Sequence, residues 1–139
     1  MLLGEMWKTL DRYLGRGSYY WLKDRIDPQR EYTQLTYARL IDSVLTQQTR
    51  WLDAGGGHQI LEVTAPDLEL AMVRRVRLTV CCDRVVDAIA KHRSIRAGVG
   101  ATLDHLPLRR ASLDLITLNN VAEHLEHPRE VLSEFARVL

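Results

Sequence analysis

An open, parallel α/β sheet with helices on both faces, preceded by N-terminal helices, is the fold that this sequence predicts. Three observations point to it. Beyond residue 50, short apolar runs alternate with stretches of helical spacing, joined by short links. Three glycines, Gly55-Gly56-Gly57, follow the first apolar run directly. The run from Val76 to Cys82 is apolar and β-branched enough for a buried strand. Strand–helix alternation of this kind builds a parallel sheet covered by helices. Right-handed crossovers then bring the carboxyl ends of all strands to one edge, where such sheets bind ligands.

Residues 1–50 read as helical. Met6, Trp7, Leu10, Tyr13 and Leu14 keep a 3.6-residue period until Gly15 and Gly17 interrupt it. Asp27-Pro28, an acid ahead of a first-turn proline, starts a second helix. Its expected apolar stripe is Tyr37, Leu40, Ile41, Val44 and Leu45. Trp51-Leu52-Asp53 is the first strand. Pro66 to Arg75 is expected as a helix with Leu68 and Met72 inward, followed by the strand Val76 to Cys82 ending in Asp83. Val85, Val86, Ile89 and Ala90 have helical spacing; Ala97 to Thr102 is a weak strand and Leu113 to Leu118 a stronger one. Pro128 opens a last helix with Val131, Leu132, Phe135, Val138 and Leu139 on one face. The expected division is an N-terminal helical extension over 1–49 and the sheet domain over 50–139. Because the sequence stops on a helix, the sheet is expected to be incomplete at the C-terminus. The natural chain is expected to continue past Leu139; the alternative is that a partner such as a second copy in a homo-oligomer covers the exposed edge.

Composition narrows the function classes. With 139 residues, 46% of them hydrophobic, the chain suits one compact core. Nineteen basic residues against 18 acidic ones leave a net charge of +1. That balance makes no electrostatic case for nucleic acid or an acidic membrane surface as partner. The short basic runs, Arg74-Arg75-Val76-Arg77 and Arg109-Arg110, read as solvated surface. No stretch approaches the roughly 18 apolar residues of a membrane span, and the start of the chain, with Glu5, is not a signal peptide. Cys81 and Cys82 are adjacent, so in a strand they point to opposite faces and form no ordinary disulfide with each other. Free thiols of this kind fit a cytoplasmic protein.

The glycine turn carries the strongest functional signal. Glycines directly after a first strand permit a tight turn and a close approach of backbone to ligand. A dinucleotide fingerprint needs Gly or Ala at the place that Ile60 occupies. Asp53, ahead of the turn, would repel a pyrophosphate and attract a cation. S-adenosylmethionine has a sulfonium and an ammonium and no phosphate, which favours it over NAD. Asp83, at the end of the second strand, can accept hydrogen bonds from both hydroxyls of an adenosyl ribose.

Beyond these readings, the stretch from about Arg50 to Leu139 resembles the class I S-adenosylmethionine-dependent methyltransferases, especially the methyltransferase type 11 branch, with its Rossmann-like sheet. Trp51-Leu52-Asp53-Ala54-Gly55-Gly56-Gly57 matches that family's hydrophobic–acid–x–G–x–G motif, and Asp83 its second-strand acid. Leu106-Pro107-Leu108 with Ser112 to Ile116 is similar to "LPF…SFDLV". Asn119 to Leu125 with Pro128 is similar to "vlEHv…dP", and Glu134 to Leu139 to "EiaRVL". The resemblance implies that Asp53, Gly55 and Gly57 contact the methionine end of the cofactor and Asp83 the ribose. Thr102 and Leu103 would border the adenine, and Asn119 would lie near the sulfonium. Gly56 and Arg84, beside these positions, complete the expected cofactor-binding set. Three departures are visible: Gln59 replaces the third motif glycine, about ten extra residues precede Asp83, and Thr102 stands where an acid is usual, with Asp104 next in line.

Methyl transfer needs no protein nucleophile, because the cofactor brings the reactive group. A base is needed only for a weakly acidic acceptor, and His124, just after the fourth strand, is the candidate. Glu123, His124 and His127 lack a further ligand, so no metal is expected. Tyr19, Tyr20 and Trp21 read either as packing of the N-terminal helices or as a lid. The expected function is a methyltransferase acting on a small molecule or a glycan or lipid precursor. The alternative is a non-catalytic or degenerate domain of that fold acting through binding or assembly. An NAD-dependent oxidoreductase ranks third.

Overall fold

The computed structural model describes residues 25–26, 33–61 and 66–139. The expectations for Met6 to Gly17, for Tyr19 to Trp21 and for Asp27-Pro28 lie outside the described residues. The chain divides into two compact units, Met1–Thr33 and Gln34–Leu139, and the architecture below is that of the second. In order, the elements are α1 (Thr33–Val44), β1 (Arg50–Ala54), α2 (Pro66–Arg75), β2 (Leu78–Asp83), α3 (Val86–Ala90), β3 (Ala97–Gly100), β4 (Leu115–Thr117), a 3-10 turn (Ala122–His124) and α4 (Pro128–Val138).

The four strands form one sheet in the order β3-β2-β1-β4, parallel throughout. The chain steps from β1 outward to β3, then returns to the other side of β1 for β4. That reversal opens a crevice beyond the carboxyl ends of β1 and β4, the usual ligand position in such sheets. The register places Asp53 opposite both Cys81 and Thr117, and Asp83 opposite Gly100.

Side chains of successive strand residues enter two separate cores. Trp51 and Cys81 join Ala38, Ile41, Leu45 and Met72 on one face. Leu52, Ala54 and Cys82 join Val131, Phe135 and Val138 on the other. Cys81 and Cys82 are accordingly free, buried, and on opposite faces. Burial pushes both thiols up, to about 12 and about 11, so neither is a thiolate at neutral pH.

The helices sit rotated from the stripes that apolarity alone suggests. In α1, Leu40 and Val44 are more than half exposed, while Ala38 and Ile41 are buried. In α4, Leu132 and Leu139 point outward and Val131, Phe135 and Val138 inward. Adjacent i,i+4 rows were both apolar in each helix, and only docking on the sheet selects one of them. Val85 and Val86 are likewise exposed, whereas Ile89 packs inward. Its Cγ2 occupies the space beside Gly98, 2.0 Å from where a Cβ would stand. The weak propensity of β3 is thus the condition for α3 to lie directly on it.

Two polar clamps close the edges. Glu134 accepts the Leu106 N–H at 2.8 Å, and the Arg137 guanidinium donates to the carbonyls of Leu106 (3.0 Å) and Leu108 (2.9 Å). The amides of Ala111, Ser112 and Leu113 donate to the last carbonyls of α4, which the helix itself leaves unpaired. Next to this segment, Asp114 accepts the Arg50 N–H at 2.7 Å and both sides of its guanidinium. These bonds from Arg50 hold the Asp114 carboxyl down at about 2. A carboxyl depressed on folding stabilises the protein above its unfolded value and loses that contribution as pH falls through the folded one. The urea midpoint is therefore expected to fall between pH 5 and pH 2, and to fall less in Asp114→Asn.

Candidate functional site

Every element of the site comes from the carboxyl edge of the sheet. At the end of β1 the chain turns sharply: Gly55 and Gly57 have φ of +72° and +54°, the left-handed region that favours glycine. Gly56 is required for space, since a Cβ there would stand 2.0 Å from Asp53 Oδ2. Asp53 itself is 1% exposed. Its Oδ1 accepts the Thr117 hydroxyl at 3.1 Å, and that hydroxyl in turn accepts the Trp51 indole N–H at 2.8 Å. Its Oδ2 is buried without a partner among the described residues. Burial pushes the Asp53 carboxyl up to about 7, against the Thr117 hydrogen bond and with help from the charges of Glu69 and Asp83.

Asp83 closes β2 beside the turn. One of its oxygens accepts the Gly57 N–H at 3.0 Å and the other the Val85 N–H at 2.8 Å. The second acid therefore grips the turn that follows the first, and the two stand on neighbouring strands at the same edge.

Two cavities flank the turn. The larger, about 300 Å³, has Gly55, Asp83, Arg84, Thr102, Leu103 and Asp104 along one side. Asn120, Val121, His124 and His127 line the other. The smaller, about 160 Å³, is bordered by Asp53, Gly55, Gly56, Gln59, Asn119 and Asn120. Gly55 and Asn120 belong to both. The expected site residues thus gather around one crevice, with one exception. Gly57 lines neither cavity, and its amide serves Asp83 instead. Asn119 faces the smaller cavity, its amide nitrogen donating to Gln34 Oε1 (3.0 Å) and to the Ile60 carbonyl (2.9 Å). Hydrogen bonds from Thr102 and His105 keep the Asp104 carboxyl below its ordinary range.

Several contributors escape a reading of single residues. Asn120 adopts φ +56°, a conformation that asparagine tolerates better than most; the doublet Asn119-Asn120 after a strand is the signal that could have marked it. Glu69, fully buried on α2, accepts the Leu61 N–H at 3.0 Å, the Arg93 Nε–H at 3.1 Å and the Ser94 hydroxyl. Burial would raise its carboxyl, but the Arg93, Ser94 and Leu61 donors bring it below the usual value. Arg93 also donates to the Leu61 carbonyl at 2.7 Å, so this pair, with Glu69 buried and Arg93 half-buried, anchors the far end of the glycine loop. Nothing in sequence spacing joins positions 61, 69 and 93.

Among the described residues one group, Asp53, Cys81 and His92, is compact enough for a cation. His92 Nδ1, however, accepts the backbone N–H groups of Ser94 and Ile95, which puts the ring hydrogen on Nε2. Neither nitrogen then has a free lone pair, and the thiol of Cys81 keeps its hydrogen. That donor set does not fit a metal.

A parallel sheet with a glycine turn at its strand-order reversal and an acid closing the next strand defines the class: a Rossmann-like ligand-binding domain. The family model described as "Methyltransferase domain" matches residues 45–139, and the chain belongs to that family. This places it in the class I S-adenosylmethionine-dependent methyltransferase superfamily. Among solved structures, the YcgJ protein of Bacillus subtilis is similar, with 22% identity and a TM-score of 0.60 over 75% of this chain and 46% of its own. An Archaeoglobus fulgidus SAM-dependent methyltransferase has 22% identity and a TM-score of 0.55 over 87% of this chain and 53% of its own. One from Aquifex aeolicus has 17% identity and a TM-score of 0.57 over 77% and 58%. At this identity the likeness is one of fold. The chain spans about half the length of these proteins. No curated protein matches it.

Proposed function

We propose that this chain binds S-adenosylmethionine along the carboxyl edge of the sheet and transfers its methyl group to a small molecule or a glycan or lipid precursor. One observation carries the reading: two carboxylates, Asp53 and Asp83, flank a glycine turn in which the Cβ positions of Gly56 and Gly55 are already filled by Asp53 and by Val121. The edge offers acids where a dinucleotide would need room for phosphates, and the orphaned Asp53 Oδ2 sits under the turn. These features fit a cationic adenosyl ligand.

When bound, the cofactor supplies an electrophilic methyl group and a neutral thioether leaving group. The chain's own contribution is orientation and exclusion of water. Asp53 and Gly55 border the smaller cavity, suited to the amino-acid end. Asp83, Thr102 and Leu103 border the larger one, suited to the nucleoside. His124, exposed on the rim of the larger cavity, is placed to take a proton from a hydroxyl acceptor. A cytoplasmic setting suits the two free thiols.

Calorimetry with S-adenosylhomocysteine tests the binding step. Because burial holds the Asp53 carboxyl near 7, a cationic ammonium competes with a proton below that pH. Affinity is expected to be about tenfold weaker at pH 6 than at pH 8. No binding at any pH in this range would sink the reading. Binding without methyl transfer to any metabolite, followed by mass spectrometry, would favour the non-catalytic alternative.

A further inference from the structure

Beneath the glycine turn two buried polar atoms complement each other. Among the described residues, Asp53 Oδ2 is an acceptor without a donor, and His92 Nε2 is likewise without a partner. Both residues are 1% exposed. A carboxylate oxygen of Asp53, a ring nitrogen of His92 and Cys81 Sγ all lie within 4.8 Å of one another. The tautomer of His92 follows from its other nitrogen: Nδ1 accepts N–H groups from Ser94 (3.3 Å) and Ile95 (3.1 Å), so in the neutral ring the hydrogen sits on Nε2. A donor and an acceptor, each orphaned and each in the same buried cluster, are far more stable paired than apart.

We propose that His92 is a positioning residue for Asp53: its Nε2–H reaches Asp53 Oδ2 through one enclosed water and favours the ionised carboxylate under the glycine turn. The loop that carries His92 is already fastened to the turn. The Arg93 N–H donates to the His58 carbonyl at 3.0 Å, and the Arg93 guanidinium to the Leu61 carbonyl. A shift of either segment therefore changes the distance between the two groups. The idea extends the proposed cofactor role of Asp53, and its affinity readout rests on that role; its titration readout does not.

The charges around the pair leave Asp53 as the group to watch. Glu69 and Asp83 face it as like charges, and the Cys81 thiol and Tyr37 hydroxyl stay neutral, both pushed up to about 12, first by burial. His92 is faced by Glu69, Arg93, His58 and Arg96, and burial lowers its own value, so it is neutral near pH 7. These groups are common to wild type and variant, so a difference between the two reports the His92 donor.

The test uses the whole chain with 13C-labelled aspartate and 15N-labelled histidine. Wild-type His92 should show its hydrogen on Nε2. In His92→Leu, which keeps bulk and removes the donor, the Asp53 carboxyl should titrate about one pH unit higher. His92→Gln, which restores an N–H, should recover most of that change. S-adenosylhomocysteine should bind His92→Leu about fivefold more weakly at pH 7 and equally well at pH 9, a recovery that simple loosening of the core does not give. An unchanged Asp53 titration in His92→Leu, or a His92 hydrogen on Nδ1, overturns the proposal. Should His92→Leu fail to fold, the wild-type nitrogen spectrum and the glutamine variant decide it. Should neither protein bind S-adenosylhomocysteine, the proposed cofactor fails while both spectra still judge the pairing.

Discussion

Replacing Arg93 with methionine is expected to destabilise the fold by about 3 kcal/mol, the lower end of the range for removing one partner of a buried ion pair, because Glu69 is buried while Arg93 is partly exposed. Glu69 is fully buried and has three donors: the Leu61 amide, the Ser94 hydroxyl and Arg93. Only Arg93 brings a compensating positive charge. Its removal strands a carboxylate in the core and also leaves the Leu61 carbonyl without its donor. Adding Glu69→Gln to Arg93→Met should recover more than half of the loss, since the amide oxygen still accepts the Leu61 N–H and no buried charge remains. Urea unfolding at pH 7 measures both. A loss below about 1 kcal/mol for Arg93→Met, the level of an exposed pair, would show that the ion pair is solvated and anchors nothing.

Gly56→Ala should act on the site itself. The added methyl would stand 2.0 Å from Asp53 Oδ2 and 3.1 Å from Cys81 Sγ. Asp53 cannot retreat, because Thr117 holds its other oxygen and β1 is paired on both sides. The turn must lift instead, displacing the backbone that meets the ligand. A displacement of about 1 Å can cost on the order of 100-fold in the rate of a positioned reaction; a fall of that order in methyl transfer, with weaker S-adenosylhomocysteine binding, is the expected result. Overpacking should also cost about 1–3 kcal/mol of stability. Gly57→Ala separates backbone strain from crowding, because nothing lies within 4 Å of its Cβ position while its φ is positive. If Gly56→Ala binds as wild type does, the turn is not the ligand's seat.

Sequence alone reached the layered α/β architecture, the parallel sheet, the glycine turn and the two strand-end acids. Those features are local: a β-branched run, a glycine triplet and an acid at a strand end are each written in consecutive residues, and crossover handedness orders them. The facing of the helices was not legible. Leu40 and Ile41, or Val131 and Leu132, are equally apolar neighbours, and the sheet chose between them by shape. Tertiary structure alone also assembled Glu69 with Arg93 and Ser94, and set His92 beside Asp53 and Cys81. Pairings between residues 11 to 39 positions apart leave no periodic trace. They exist because burial makes an unpaired polar group costly, and only the folded chain determines which partners are near enough to satisfy it.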